Sequence, residues 1–195
     1  MNLSEYLSQH KKKVLIFDLD ATILLLHLPW HQFVDPIEDK LRNIDPVLIE
    51  EYRKKKFSLS VLQNKYVEKD PSMANFFRNY NQSFESQLTR YDTNAELMSF
   101  IRNNSEYEMY VWSSNSRPTI EKVLHQEGID TKFSSLVTRS DVDFIKPHKE
   151  GFSHILKASY VLTDYLFIGD SKADKEAALS ADIDFLEENY FRLIA

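Results

Sequence analysis

The sequence predicts an α/β protein, a doubly wound parallel sheet of five strands with an all-helical insertion. Three observations predict it. Five short apolar runs alternate with polar turns and helical periodicity, the pattern of strands buried on both faces by helices. About 90 residues separate the first run from the second, where a parallel crossover needs only about a dozen. With 195 residues, 43% hydrophobic and 28% charged, the chain can bury a single sizeable core.

The first strand is VLIFD, Val14–Asp18. The second, EMYVWS, ends near Ser113, and the weaker FSSLVT ends near Thr138. YLFIGD covers Tyr165–Asp170, and DIDFLE lies near Asp182–Glu187. Between them the helices carry start and stop signals. Asp92 or Thr93 can cap AELMSFIRNN, whose Leu97, Phe100 and Ile101 share a face. Ser116 precedes RPTIEKVLHQE, with Pro118 in the first turn and Gly128 as a C-terminal stop. Ser171 precedes the Ala-rich KADKEAALSA.

The excess between the first two strands, residues 24–88, reads as helices: DPVLIEEYRKKKF from Pro46, SLSVLQNKYVEK, and PSMANFFRNYNQSFESQL. Its aromatics, Phe33, Tyr66, Phe77 and Phe84 among them, can fill a small core of their own. The expected division is therefore a core of residues 1–23 and 89–195, with residues 24–88 inserted.

Composition narrows the chemistry. There are only three glycines, against roughly 13–14 at average usage. Gly128, Gly151 and Gly169 are too far apart to build a glycine-rich phosphate cradle. No cysteine means no thiolate nucleophile, zinc ribbon or iron–sulfur centre. A net charge of −6 disfavours nucleic acid, and the apolar run after Lys11–Lys13 is broken by Asp18 and Asp20, unlike a signal peptide or membrane span. A cytoplasmic protein is expected.

Four segments carry candidate chemistry. In DLDAT, Asp18 and Asp20 stand two apart at a strand end, where extended backbone points both carboxylates one way. Such a pair needs a cation or a raised pKa. In WSSN, Ser114 offers a hydroxyl; in FIKPHKEGF, Lys146 offers a point charge for an anion. In GDSKADKEAA, Asp170 ends a strand and Asp174 follows four residues later. A parallel sheet brings its strand ends to one edge. Acidic oxygens there suit a hard cation such as Mg²⁺, and a hydroxyl with an ammonium suits a phosphoryl group.

Taken in order, DLDAT, WSSN, IKPHKEGF and GDSKADKEAALSADI resemble the haloacid dehalogenase superfamily of phosphohydrolases. The resemblance implies a helical cap at the insertion and a Mg²⁺-dependent reaction through an aspartyl-phosphate. Asp18 resembles the nucleophile and Asp20 the general acid/base. Ser114, the Asn115 amide and Lys146 resemble the phosphoryl-binding groups. Asp170 resembles the metal ligand alongside the Asp18 carboxylate and the Asp20 carbonyl, with Asp174 a further partner of the metal site. An acid at Asp20 favours phosphate esters over carbon–halogen bonds. The chain departs from the family in having Ala21 where Gly is common, and ILLLHL where a polar pair often follows.

The expected function is hydrolysis of a small phosphorylated metabolite. A phosphomutase and a non-enzymatic phospho-acceptor domain are the alternatives. His27, His31, Trp30 and Arg42 lie in or near the insertion, where they could reach a leaving group, though packing or surface exposure is the preferred reading. His148 reads as loop lining, and Arg53–Lys56 as a solvated helix face.

Overall fold

The computed structural model describes residues 2–194. The chain opens with helix α1 (Leu3–Gln9), strand β1 (Val14–Phe17) and a short strand β2 (Leu24–Leu26). Four helices follow: α2 (Trp30–Arg42), α3 (Pro46–Arg53), α4 (Leu59–Lys69) and α5 (Ser72–Glu85). Next come β3 (Tyr91–Thr93), α6 (Ala95–Asn103), β4 (Glu108–Trp112), α7 (Arg117–Gln126) and β5 (Ser135–Val137). The chain ends with α8 (Glu150–Ser153), β6 (Tyr165–Gly169), α9 (Lys172–Ser180), β7 (Asp184–Glu187) and α10 (Tyr190–Ile194). No described helix is long and apolar enough to cross a membrane.

The main sheet is parallel, in the order β5-β4-β1-β6-β7. Its strands are apolar throughout because both faces are covered. Leu15, Phe17, Val111, Leu166 and Ile168 point to one layer, which includes α6 and α7. Val14, Ile16, Trp112, Tyr165 and Phe167 point to the other, which includes Ala177 and Ala178 of α9. The chain leaves β1 toward β4 and β5 on one side and later returns to β6 and β7 on the other. The carboxyl ends of β1, β4 and β6 therefore meet at the point where strand order reverses, where open α/β sheets leave a crevice.

Two local expectations are corrected. The helix at Ala95 is capped by Asn94, whose side chain accepts from Leu97 N–H at 3.1 Å, rather than by Asp92 or Thr93. The reason is that both those residues belong to β3, which pairs antiparallel with β2, so the helix begins one residue later. Leu24–Leu26, expected to open a helical insertion, is instead the strand of that ribbon. Helix α2, which has Pro36 inside it, adds a fourth helix to the three segments named for the insert.

The insert helices share the larger apolar cluster with one face of the sheet, through Phe33, Ile37, Leu62, Phe77 and Phe84. Tyr66 is buried too, and its hydroxyl donates to the Asp45 carbonyl at 2.8 Å. Glycine is demanded at two places. A Cβ on Gly151 would lie 2.1 Å from Trp112 Nε1, and one on Gly169 would lie 2.7 Å from Asp174 Cβ.

Candidate active site

Asp18 continues β1 by one residue, its N–H donating to the Ile168 carbonyl at 2.9 Å. The chain then turns sharply. The Leu19 carbonyl accepts from the N–H groups of Thr22, Ile23 and Leu24, and Ala21 is forced to a left-handed φ of 61°. That turn carries Asp20 back over the sheet edge, where its Oδ1 accepts from Leu26 N–H at 2.9 Å.

Lys146 arrives from the loop after β5 and is buried. Its Nζ lies 2.6 Å from Asp18 Oδ1 and also bonds Asp174 Oδ1. The other Asp174 oxygen accepts from Ser171 N–H at 3.0 Å and from its hydroxyl, the capping box that starts α9. One residue thus starts a helix and holds the lysine. Asp18, Asp170 and Asp174 each bring a carboxylate oxygen to within 4.8 Å of the others.

The electrostatics follow from burial and crowding. Burial and the Asp174 charge push the Asp18 carboxyl well above the usual range, against the pull of Lys146. Asp20 is pushed up to about 7, mainly by burial, with the Asp170 and Glu85 charges adding to it. Asp170 is raised by burial and by Asp174. Burial alone would lower the Lys146 ammonium, but the Asp174 and Asp18 carboxylates outweigh it and leave it above its ordinary value.

These residues line one cavity of about 300 Å³, together with Ser114 and Asn115 from the end of β4. All six chemistry-bearing positions and Asn115 are brought together. Asn115 is tied into the turn through both its backbone and its side chain. Its N–H donates to Ser113 Oγ at 3.2 Å and its Nδ2 to Glu85 Oε1 at 2.9 Å.

Glu85 is one of several residues that sequence reasoning missed. It is buried at the end of α5 and accepts from Asn81 Nδ2 (2.8 Å), Asn115 Nδ2, Ser116 N–H (2.8 Å) and the Ser116 hydroxyl (2.6 Å). Ser116, the N-cap residue of α7, therefore spends its hydroxyl on the insert and makes no side-chain capping bond to the helix. Asn64 of α4 grips the backbone of Ile145, accepting from its N–H at 3.0 Å and donating to its carbonyl at 2.8 Å. The buried Arg139, just beyond β5, donates to the Ser114 carbonyl at 2.8 Å and to Gln63 Oε1 at 2.7 Å. None of these had a spacing signal, since each sits among ordinary polar residues.

The model of the haloacid dehalogenase-like hydrolases matches residues 15–187. The chain belongs to that family. Among relatives, the pyrophosphatase PpaX of Bacillus mycoides is 25% identical over 177 residues, covering 84% of this chain and 77% of the relative. A putative phosphoglycolate phosphatase from Lactobacillus plantarum superposes with a TM-score of 0.63 at 17% identity, covering 92% of this chain and 87% of that one. The hydrolase YfnB from Bacillus subtilis, whose structure holds magnesium, gives 0.53 at 20% identity, with 92% and 87% covered. At such identities, the two solved structures speak for the fold.

Proposed function

We propose that this hydrolase is a Mg²⁺-dependent phosphatase of a small phosphorylated metabolite, working through an aspartyl-phosphate on Asp18. One observation carries the reading. At the strand-order reversal, Asp18 is held by a buried lysine, and an acid tuned to about 7 stands two residues away.

In the first half-reaction an Asp18 oxygen attacks phosphorus as the bond to the leaving oxygen breaks. Asp20 gives its proton to that oxygen. In the second, Asp20 takes a proton from water, the water oxygen attacks phosphorus, and the Asp18–phosphorus bond breaks to release inorganic phosphate. A group near 7 suits both directions of proton transfer. Ser114 and Lys146 steady the charge on the transferring oxygens.

The all-oxygen donor set of Asp18 and Asp170, with Asp174 beside them and the Asp20 carbonyl, fits a hard divalent cation. When bound, Mg²⁺ would keep Asp18 ionised and neutralise phosphoryl charge. Residues 24–88 act as a helical cap over the core of 1–23 and 89–195, excluding water during transfer. The name of the pyrophosphatase relative points to the same chemistry.

The test is phosphate release, with Mg²⁺ and with chelator, from an aryl phosphate and a panel of sugar phosphates, nucleotides and phosphoglycolate. Release that needs the cation supports the proposal. No release from any of them overturns it, and an isomerised sugar phosphate without free phosphate would indicate a mutase.

A further inference from the structure

Two cations line the cavity, Lys146 and Arg139, and they are in opposite situations. The lysine is already matched by two carboxylates, Asp18 and Asp174. Arg139 is only 6% exposed, yet among the described residues no carboxylate pairs with it. Its guanidinium meets one neutral carbonyl and one neutral amide, Ser114 and Gln63. Burial lowers its pKa to about 10, with Arg78 adding to that and Glu85 opposing it. Glu85 itself is committed to Asn81, Asn115 and Ser116. An arginine buried without an ion-pair partner is costly, and a planar cation with unspent donors matches an oxyanion.

Position says which oxyanion. Arg139 holds the backbone of Ser114 with one nitrogen and reaches the insert through Gln63 with another. It thus stands between the Asp18 side of the cavity, where a transferred phosphoryl would sit, and the helices that cover the remainder of the substrate. We propose that Arg139 binds a second oxyanion on the leaving group, so the preferred substrate is a phosphate compound whose leaving group is itself an acid, a carboxylate or a further phosphoryl. The inference rests on the phosphatase reading, and it adds a substrate class and a binding residue to it.

A matched pair of ligands tests it. Phosphoglycolate and 2-hydroxyethyl phosphate differ in a carboxylate against a hydroxymethyl group. Binding is measured by calorimetry to the Asp18→Asn protein, which cannot turn either over, with kcat and KM measured on the active chain. The charged ligand should bind roughly 10- to 100-fold more tightly, the range of one hydrogen bond to a charged group. Arg139→Met should erase that ratio, and Arg139→Lys should keep part of it. Equal binding of the two ligands, or a ratio that survives in both Arg139 variants, overturns the proposal. Failure of the phosphatase reading looks different, with no phosphate released from the aryl ester by the unaltered chain.

Discussion

The two walls of the active-site cavity are built from different chemistry. On the core side, four carboxylates and a lysine crowd the strand ends, with Asp18, Asp170 and Asp174 within 4.8 Å of each other. On the insert side stand Trp30, Phe33, Leu59, Ser60, Gln63 and Asn81, none of them charged. The insert's one buried acid, Glu85, faces Asn115 and Ser116 of the β4–α7 turn. The core wall holds groups that can make and break bonds, at an electrostatic cost. The insert wall holds groups that fix the positions of those on the core. Substitution of the nucleophile on the first should therefore change rate with little cost in stability, and substitution of the lysine beside it should change both. Substitutions on the second should change stability more than rate.

The largest effect is expected from Asp18→Asn. It removes the nucleophile while keeping an oxygen that can accept from Lys146, so turnover should fall by on the order of 10⁴-fold or more. Because burial disfavours the Asp18 charge, the unfolding temperature should not fall. Full activity in this variant would remove the nucleophile assignment.

Lys146→Ala comes next, and it should damage both properties. Asp18 and Asp174 would be left facing each other with no ammonium between them, at a cost of roughly 3 kcal/mol. The rate should drop about 100-fold through the lost phosphoryl contact. Buried acids whose folded pKa exceeds the unfolded value hold protons more tightly when folded, so stability falls as pH rises past the unfolded value. Asp18 is such an acid already, and removing the lysine raises it further. Thermal melts in chelator should therefore show the variant losing more stability at pH 8 than at pH 5. A pH-independent difference would mean that the lysine does not hold these carboxylates.

The same contrast between the walls explains what could be read from sequence. Strand-end carboxylates announce themselves, because an apolar run such as VLIF or YLFIG has no packing reason to end in Asp18 or to be followed by Asp170. Lys146 could be found because it lies between an apolar pair and a proline. Gln63, Asn64 and Glu85 lie in helices where polar residues are the rule on a solvated face, and only the tertiary fold turns those faces inward. Arg139, within TRSDVDF, looks like a surface turn for the same reason. The β2–β3 ribbon was hidden because its pairing joins Leu24–Leu26 to Tyr91–Thr93, strands of three residues each on opposite sides of the insert.

Glu85→Gln probes the insert wall. The carboxylate accepts on both oxygens, from Asn81 and Asn115 on one and from Ser116 twice on the other. A carboxamide has one acceptor oxygen, so either pair must face an NH₂ group. The loss should be about 2 kcal/mol, lowering the unfolding temperature by roughly 4–8 °C in a chain of this size. Turnover should decline by about tenfold or less as the Ser114–Asn115 turn loosens. A large rate loss with unchanged melting would place Glu85 among the reacting groups and erase the distinction between the walls.

The smallest effect concerns the only core-wall position where a substitution should stabilise the fold. Ala21 sits at φ 61° between Asp20 and the β2 strand, held there because its N–H donates to the Leu24 carbonyl at 2.6 Å. A residue with a Cβ pays roughly 1–2 kcal/mol in that region, and glycine does not. Glycine also gains freedom in the unfolded chain, which takes back about 0.4–1 kcal/mol. The difference leaves Ala21→Gly more stable by about 0.5–1 kcal/mol, a rise of roughly 1–4 °C on melting. The Asp20 bond to Leu26 N–H involves neither the Ala21 side chain nor its amide, so turnover should persist. A fall in melting temperature would show that the turn is set by contacts of the alanine methyl and that the strain assigned to this wall is absent.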